Sequence, residues 1–498
     1  MISLSHFLVV LLSTSLFLFF LHKWRHSHSP ESRKRLPPSP PKLPLLGNLH
    51  QLGSSPHRSL QSLSRRHGPL MLLHFGKVPV LIASSAEAAR EIMKTQDLIF
   101  SNRPELSIPG RLFYDSRDVA FCPYGEYWRQ IRSMCVLHLL SNKRVQSYRR
   151  VREEETSLMV EKIERLGASS TPVNLTDILT TLTNDVICRV ALGKKYGLRS
   201  DFKEMLTEML VLLGVVPLWE YIPWLSWTRR FDGVDERIAR VAKAFDEFLE
   251  MVIQEHRVRE RRDDELDLVD ILLDVQRENA SRFPVEDDTI KAVILDMFAA
   301  GTDTTFTALE WAIVELIRNP ATIKTLQNEV REVVGSKDEI DEKDLEKMPY
   351  LKAVLKESLR LHSPIPLLVP RELTQATKVL GYDVASGTRV IINAWAISRD
   401  PSLWKKPEEF CPERFLETSI DFRGMHFELI PFGAGRRGCP GVTFAMAVDE
   451  LALAKLVHKF DFGLPNGAKM EELHVSESNG ITIHRKGPLL VVATPHAF

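Results

Sequence analysis

The residue types most able to do chemistry gather near the C-terminus, in Pro431-Phe-Gly-Ala-Gly-Arg-Arg-Gly-Cys-Pro-Gly441. Cysteine binds a metal as its thiolate, a form favoured by N–H donors, a helix N-terminus or the metal itself. Gly433, Gly435 and Gly438 let backbone pass close to a flat ligand and turn N–H groups toward the Cys439 sulfur. Arg437 can pair with an anionic group of the same ligand. The mostly apolar stretch Val442 to Val457 predicts a helix able to pack beneath it. Two plainer readings compete. The three glycines fit G-x-G-x-x-G, a dinucleotide-binding fingerprint. However, Cys439-Pro440 falls where the phosphate-binding helix should be turning, and the acid expected about twenty residues on is missing. Taken alone, a cysteine in a glycine-rich loop is an ordinary buried thiol.

Three further groupings carry chemistry. Ala300-Gly-Thr-Asp-Thr-Thr305 lies inside the longest helical pattern, Val285 to Arg318, which has acids at its start and Asn319-Pro320 at its end. Glycine and threonine are poor helix formers. The segment predicts either hydroxyls bonded to carbonyls one turn back or a locally opened helix, with Asp303 and Thr304 as groups able to pass protons. Glu357-Ser-Leu-Arg360 has a spacing common on exposed helices. Joined by Arg414 of Pro412-Glu-Arg-Phe, it predicts one carboxylate shared by two guanidiniums, a brace rather than a catalytic group. Trp128 and Arg132, four apart, face the same way on a helix.

These residues need a framework. The chain has 498 residues with 65 basic and 65 acidic side chains, a balance that argues against a nucleic-acid partner. Hydrophobic residues make up 44% and charged residues 26%, which excludes a largely disordered chain. Five scattered cysteines without a CxxC pair give neither a disulfide scaffold nor a cysteine zinc site. Ile2 to Leu21 carries no formal charge and at about 1.5 Å per residue spans a bilayer core. It is too long for a cleaved signal peptide, and no basic residue precedes it. Lys23, Arg25, Arg33, Lys34 and Arg35 follow, so the positive-inside rule puts the body in the cytosol. The sequons at Asn174 and Asn279 would then be unused. The expected organisation is an anchor over 1–24, a basic and Pro-rich hinge over 25–49, and a single domain over 50–498. Five prolines among residues 37–44 make the hinge a stiff strap. Helical periodicity dominates the domain, with short β-type runs near Leu70–Ile82, Lys378–Ile392 and Leu489–Ala493.

Phe432, Gly435, Arg437, Cys439 and Gly441 occupy every fixed position of F-x-x-G-x-R-x-C-x-G. The loop therefore resembles the haem-ligand loop of the cytochrome P-450 family of haem-thiolate monooxygenases. AGTDTT, the Glu357/Arg360/Arg414 set and Trp128-x-x-x-Arg132 resemble that family's other motifs. The likeness runs over nearly the whole chain and is nearest to plant microsomal members of specialised metabolism. It implies a mainly α fold with small β-sheets, one catalytic domain and an N-terminal transmembrane helix. It implies haem b held by Cys439 as axial ligand of the iron, with Arg437, Trp128, Arg132 and Arg371 toward its propionates. Phe432, Gly435 and Gly441 shape the loop, and Asp303 and Thr304 serve oxygen activation. One atom of O2 enters a lipophilic substrate and the other leaves as water. Electrons come from NADPH through a membrane-bound P-450 reductase, with cytochrome b5 as a second donor, and the body sits on the cytosolic face of the endoplasmic reticulum membrane.

Arg129, Lys143, Arg144, Arg149, Arg150, Arg152 and Arg436 are candidate contacts for the reductase, unless they form a solvated helix face. By resemblance the substrate pocket is lined from Ile108–Phe121, Leu206–Trp219, Leu295–Thr305, Ile365–Val369 and Gly480–Thr482. Terpenoids fit best, then coumarins or other phenolics, then alkaloids. The competing functions are desaturation, dehydration or rearrangement without net oxygen insertion, and a membrane-tethered haem binder.

Overall fold

The computed structural model describes residues 35–167, 172–196, 200–259, 266–278, 284–335, 337, 339–469, 473 and 475–496, with positions 14 and 18 before them. The expected anchor over 1–24, apart from those two positions, lies outside the described residues, as do hinge residues 25–34 and the sequon at Asn279. Among the described residues no helix is long and apolar enough to cross a membrane.

Periodic apolar residues assemble the helices around one central member. The principal helices are α1 (Glu126–Met134), α2 (Arg149–Gly167), α3 (Leu175–Leu192), α4 (Ser200–Leu213), α5 (Val234–Val258), α6 (Leu268–Glu278), α7 (Asp287–Arg318), α8 (Pro320–Val334), α9 (Pro349–Leu361) and α10 (Val442–Lys459). The Asn174 side chain caps α3 by accepting from the Asp177 N–H at 3.3 Å. From Thr289 to Ile317 α7 is buried around most of its circumference, as an interior helix must be. It packs against α3, α9 and α10. Its end is the one the sequence predicts: Asn319 leaves helical geometry, and Pro320 opens α8 where its missing N–H costs nothing.

The β part is small. Strands β1 (Leu70–Phe75), β2 (Val78–Ala83), β3 (Val173–Asn174), β4 (Arg371–Glu372), β5 (Thr377–Val379), β6 (Tyr382–Val384), β7 (Arg389–Ile392), β8 (Phe460–Gly463) and β9 (Leu490–Pro495) form three sheets. Their orders are β1-β2-β7-β4, β3-β9-β8 and β5-β6. The pairing of β2 with β7 is parallel, with Val80 opposite Arg389, and β4 lies antiparallel to β7. This sheet sets Arg371 at its end. The strap is pinned rather than loose: Leu72 N–H donates to the Pro38 carbonyl at 2.9 Å, and Asn48 N–H to His74 at 2.6 Å.

Candidate active site

The cysteine loop is shaped by close approach. Gly433 and Gly435 have φ of +66° and +70°, a region side chains rarely enter. A Cβ at Gly435 would collide with the Met93 carbonyl oxygen and sit 2.7 Å from Asp97 Oδ1. The Asp97 carboxylate also accepts the Arg436 N–H at 2.8 Å, which locks the turn. Cys439 N–H donates to the Phe432 carbonyl at 2.9 Å. The Gly441 N–H, just ahead of α10, points at Cys439 Sγ from 3.3 Å. The thiol is exposed, but to a cavity inside the protein rather than to bulk solvent. Burial pushes it above its ordinary value, against the pull of the Gly441 and Val442 amides and Arg132. Those donors favour the thiolate against burial, and a metal bound at the sulfur would favour it further.

Phe432, Gly441, Phe444, Leu359, Val369 and Ala300 are among the largely apolar walls of that cavity. Four guanidiniums also reach it: Arg103, Arg132, Arg371 and Arg437. Each gives part of its donor fork to backbone. Arg132 bonds the Gly438 carbonyl at 2.6 Å, Arg371 bonds Ala434 at 2.8 Å, and Arg437 bonds Ser101 at 2.8 Å and Cys122 at 2.6 Å. Arg103 holds Val369 and Pro370, both at 2.7 Å. Burial pushes Arg437 down to about 9, with Arg371 and Arg132 adding to the effect. Burial lowers Arg371 and Arg132 as well. Arg103 carried no sequence signal, because one arginine in Ser101-Asn-Arg-Pro looks like any other. Trp128 is adjacent but does not line the cavity. Its indole N–H goes to the Val119 carbonyl at 3.0 Å, and its ring carries the Arg437 guanidinium at 4.0 Å. Its role here is to hold Arg437.

On the far wall α7 runs unbroken through Ala300–Thr305, so the expected opening is not seen. Instead Thr304 Oγ1 donates to the Ala300 carbonyl at 2.6 Å, which satisfies the hydroxyl within the helix. Gly301 has a packing reason: a Cβ there would lie 2.6 Å from Ile187 Cδ1 on α3. Thr304 lines the Cys439 cavity, whereas Asp303 faces a second cavity and pairs with His484 Nε2 at 3.3 Å. The two residues expected to act together thus lie on different faces of α7.

A thiol-bearing glycine loop opposite a threonine, with guanidiniums between, can be compared with known proteins. The cytochrome P450 family model matches residues 37–492. The chain belongs to the cytochrome P450 family. It is 71% identical to cytochrome P450 71A6 of Nepeta racemosa over 98% of this chain and 99% of that protein. It is 57% identical to (+)-menthofuran synthase of Mentha piperita over 98% and 99%. It is 53% identical to a norfluorocurarine oxidase of Strychnos over 97% and 96%. Among solved structures, a zebrafish cytochrome P450 with progesterone superimposes with a TM-score of 0.76 at 26% identity, covering 89% of this chain and 99% of that one.

The protein is therefore an oxidoreductase, a P450 monooxygenase whose cofactor is haem b and whose NADPH electrons arrive through a reductase. The cavity fits that group. It offers a sulfur facing inward, apolar walls for a flat ring, and four desolvated guanidiniums that call for the negative charge two carboxylates bring. Cys439 would hold the iron, with Arg103, Arg132, Arg371 and Arg437 nearest the acidic edge.

The P450 brace is as the sequence predicts. Arg360 binds Glu357 through Nε at 2.7 Å and Nη2 at 2.8 Å, and Arg414 Nε adds a bond at 3.0 Å. The Cys411 N–H donates to the same carboxylate at 2.9 Å. Two expectations need correction. Arg152 is no surface contact for a reductase: it is fully buried and bound to Glu342 at 2.5 and 2.9 Å. Of the five pocket segments, 206–219 and 480–482 line the second cavity and not the one holding Cys439.

Proposed function

We propose that this P450 inserts one oxygen atom from O2 into a lipophilic plant specialised metabolite, a terpenoid first among the classes. The carrying observation is the apolar wall built by Ala300, Ile365, Leu368 and Val369 over Cys439, with Thr304 as its hydroxyl. The named relatives lend support, since menthofuran is a terpenoid and a 3-beta-hydroxylase of Tanacetum parthenium is 52% identical. Bound haem supplies the activation of O2. The chain's own residues position and exclude. Apolar side chains keep water off the reacting carbon, and cavity guanidiniums fix the ring's acidic edge. Thr304 Oγ1, with its proton on the Ala300 carbonyl, presents lone pairs to that wall and orders a proton donor there. The chain's own reductase is a membrane-bound NADPH enzyme, met by the exposed Arg129, Lys143 and Arg436. The apolar N-terminal segment tethers the body to the cytosolic face of the endoplasmic reticulum.

The test incubates microsomes holding this chain and a reductase with fractionated plant extract, with and without NADPH. A terpenoid feature that gains the mass of one oxygen, and needs both NADPH and Cys439, supports the reading. Features that change without gaining oxygen favour desaturation or rearrangement.

A further inference from the structure

Behind α7, on the side away from Cys439, lies a second cavity of about 1030 Å³ between α3, α4, α7 and the 479–487 segment. Its walls mix apolar surface with polar groups contributed from α3 and α7. Asn184, Thr302 and Glu310 line it, and each leaves one buried side-chain oxygen without a hydrogen-bond partner among the described residues. Oxygens of this kind are ordinarily served by ordered water. Only the thickness of α7 separates this space from the Cys439 cavity, since Asp303 faces one and Thr304 the other.

His484 sits at the partition, stacked on Phe306 with centroids 5.6 Å apart. Its hydrogen bonds fix its protons. Thr307 Oγ1 donates its single proton to the Asp303 carbonyl at 2.7 Å. The same oxygen, 2.8 Å from His484 Nδ1, must then accept, so Nδ1 carries a hydrogen. Nε2 faces Asp303 Oδ1 at 3.3 Å. A lone pair against a carboxylate would repel, so a second proton belongs between these two atoms.

We propose that His484 is a positioning residue that holds a proton against Asp303 and replenishes it from the outer cavity. This inference rests on the monooxygenase reading, which consumes protons in each turnover. In the step, the Nε2–H bond breaks as the Asp303 Oδ1–H bond forms, and Asp303 then returns to the carboxylate by releasing that proton to water leading to the reacting oxygen. The neutral imidazole keeps its Nδ1–H on Thr307 and regains the Nε2 proton from cavity water, which bulk solvent restores. Facing groups set the charge: Asp303 and Glu310 on α7, Asp185 on α3 with its partner Lys195, Lys203 on α4, and the neighbouring Arg485. Burial opposes the imidazolium, but the Asp303 bond and the Asp303 and Glu310 charges together raise His484 above the ordinary imidazole value.

Two measurements on the full-length holoenzyme test this. Diethyl pyrocarbonate modifies neutral imidazole, so its rate at His484 is followed by mass spectrometry from pH 5.5 to 8.5. In D303N the modification becomes faster at the acid end; an unchanged profile overturns the pairing. H484Q is then compared with wild type for NADPH consumption with reductase, using 7-ethoxycoumarin as lipophilic probe and C439S as background. H484Q keeps the thiolate carbon monoxide spectrum, slows NADPH use by at least about tenfold, and loses the fall in rate that wild type shows as pH rises through the imidazolium range. Wild-type rates and pH dependence in H484Q overturn the proposal. T304A separates this failure from failure of the parent reading, since it diverts electrons to peroxide without moving the pH profile.

Discussion

Removing the Arg360 side chain tests whether Glu357 anchors the haem-side core. R360A deletes the bidentate pair to Glu357 and three bonds to carbonyls, at 2.7 Å to Ser398 and Pro407 and 3.1 Å to Glu409. Both partners are 0% exposed. Breaking such a pair by deleting one member costs about 3–5 kcal/mol, a large share of the ~5–15 kcal/mol that keeps a domain folded. Arg414 makes one bond to the same carboxylate and is 14% exposed. Its loss leaves Arg360 and the Cys411 N–H in place, so R414A should cost about 1–3 kcal/mol. A lysine at 360 cannot span two oxygens and three carbonyls, so R360K should recover little. The assay is the fraction of expressed chain that shows the thiolate carbon monoxide signal, with the temperature at which that signal disappears. The expected order is wild type, R414A, R360K, then R360A near zero. An R360A protein with normal yield and heat resistance, or one equal to R414A, refutes the brace.

Further outcomes follow from the same geometry. C439S should lose the thiolate spectrum and all oxygen insertion; survival of the spectrum would mean another ligand. G435A places a Cβ against the Met93 carbonyl at positive φ, for a combined cost of about 2–4 kcal/mol, and should cut cofactor retention while leaving helix content by circular dichroism unchanged. T304A should keep the spectrum but send NADPH electrons to peroxide; tight coupling there would end its role. Glu477 is raised by burial but held down to about 2 by His57 and Arg58, with contacts of 3.0 and 2.8 Å. Its folded value is depressed, so its contribution is present above the ordinary glutamate range and fades as pH falls through about 4.5 toward about 2. Allowing for the half-exposed Arg58, this is about 2 kcal/mol. E477Q should lose it at pH 7 and flatten the acid limb of thermal stability.

Much of this site was readable because motif spacing and local structure agree. The turn around Gly435 admits no other residue, Pro320 restarts a helix, and the Glu357–Arg360 spacing puts both groups on one helical face. The helix stays closed through Ala300–Thr305 because tertiary packing along most of α7 overrides weak local propensity, and of the segment's three threonines only Thr304 bonds a carbonyl one turn back. Asp303 and Thr304 open onto different cavities, and the sequence contains the reason. Adjacent residues on a helix point about 100° apart, so consecutive side chains seldom share a cavity. Arg103, Asp97 and His484 escaped notice because their partners lie hundreds of residues away, and no local pattern marks such meetings. Arg152 looked like one of a basic run until Glu342 reached it.

The parallel seam between β2 and β7 also has a meaning in time. Val80 to Ala83 must wait for residues 389–392, more than 300 positions later, before that edge is covered. At about 5–20 residues per second, translation leaves the edge of Val78–Ala83 exposed for roughly 15–60 s. An apolar edge held open that long is a template for wrong pairing, so nascent chains need shielding until β7 emerges. The cysteine loop is made later still, so the ribosome has released most of the fold before the cofactor has anything to bind.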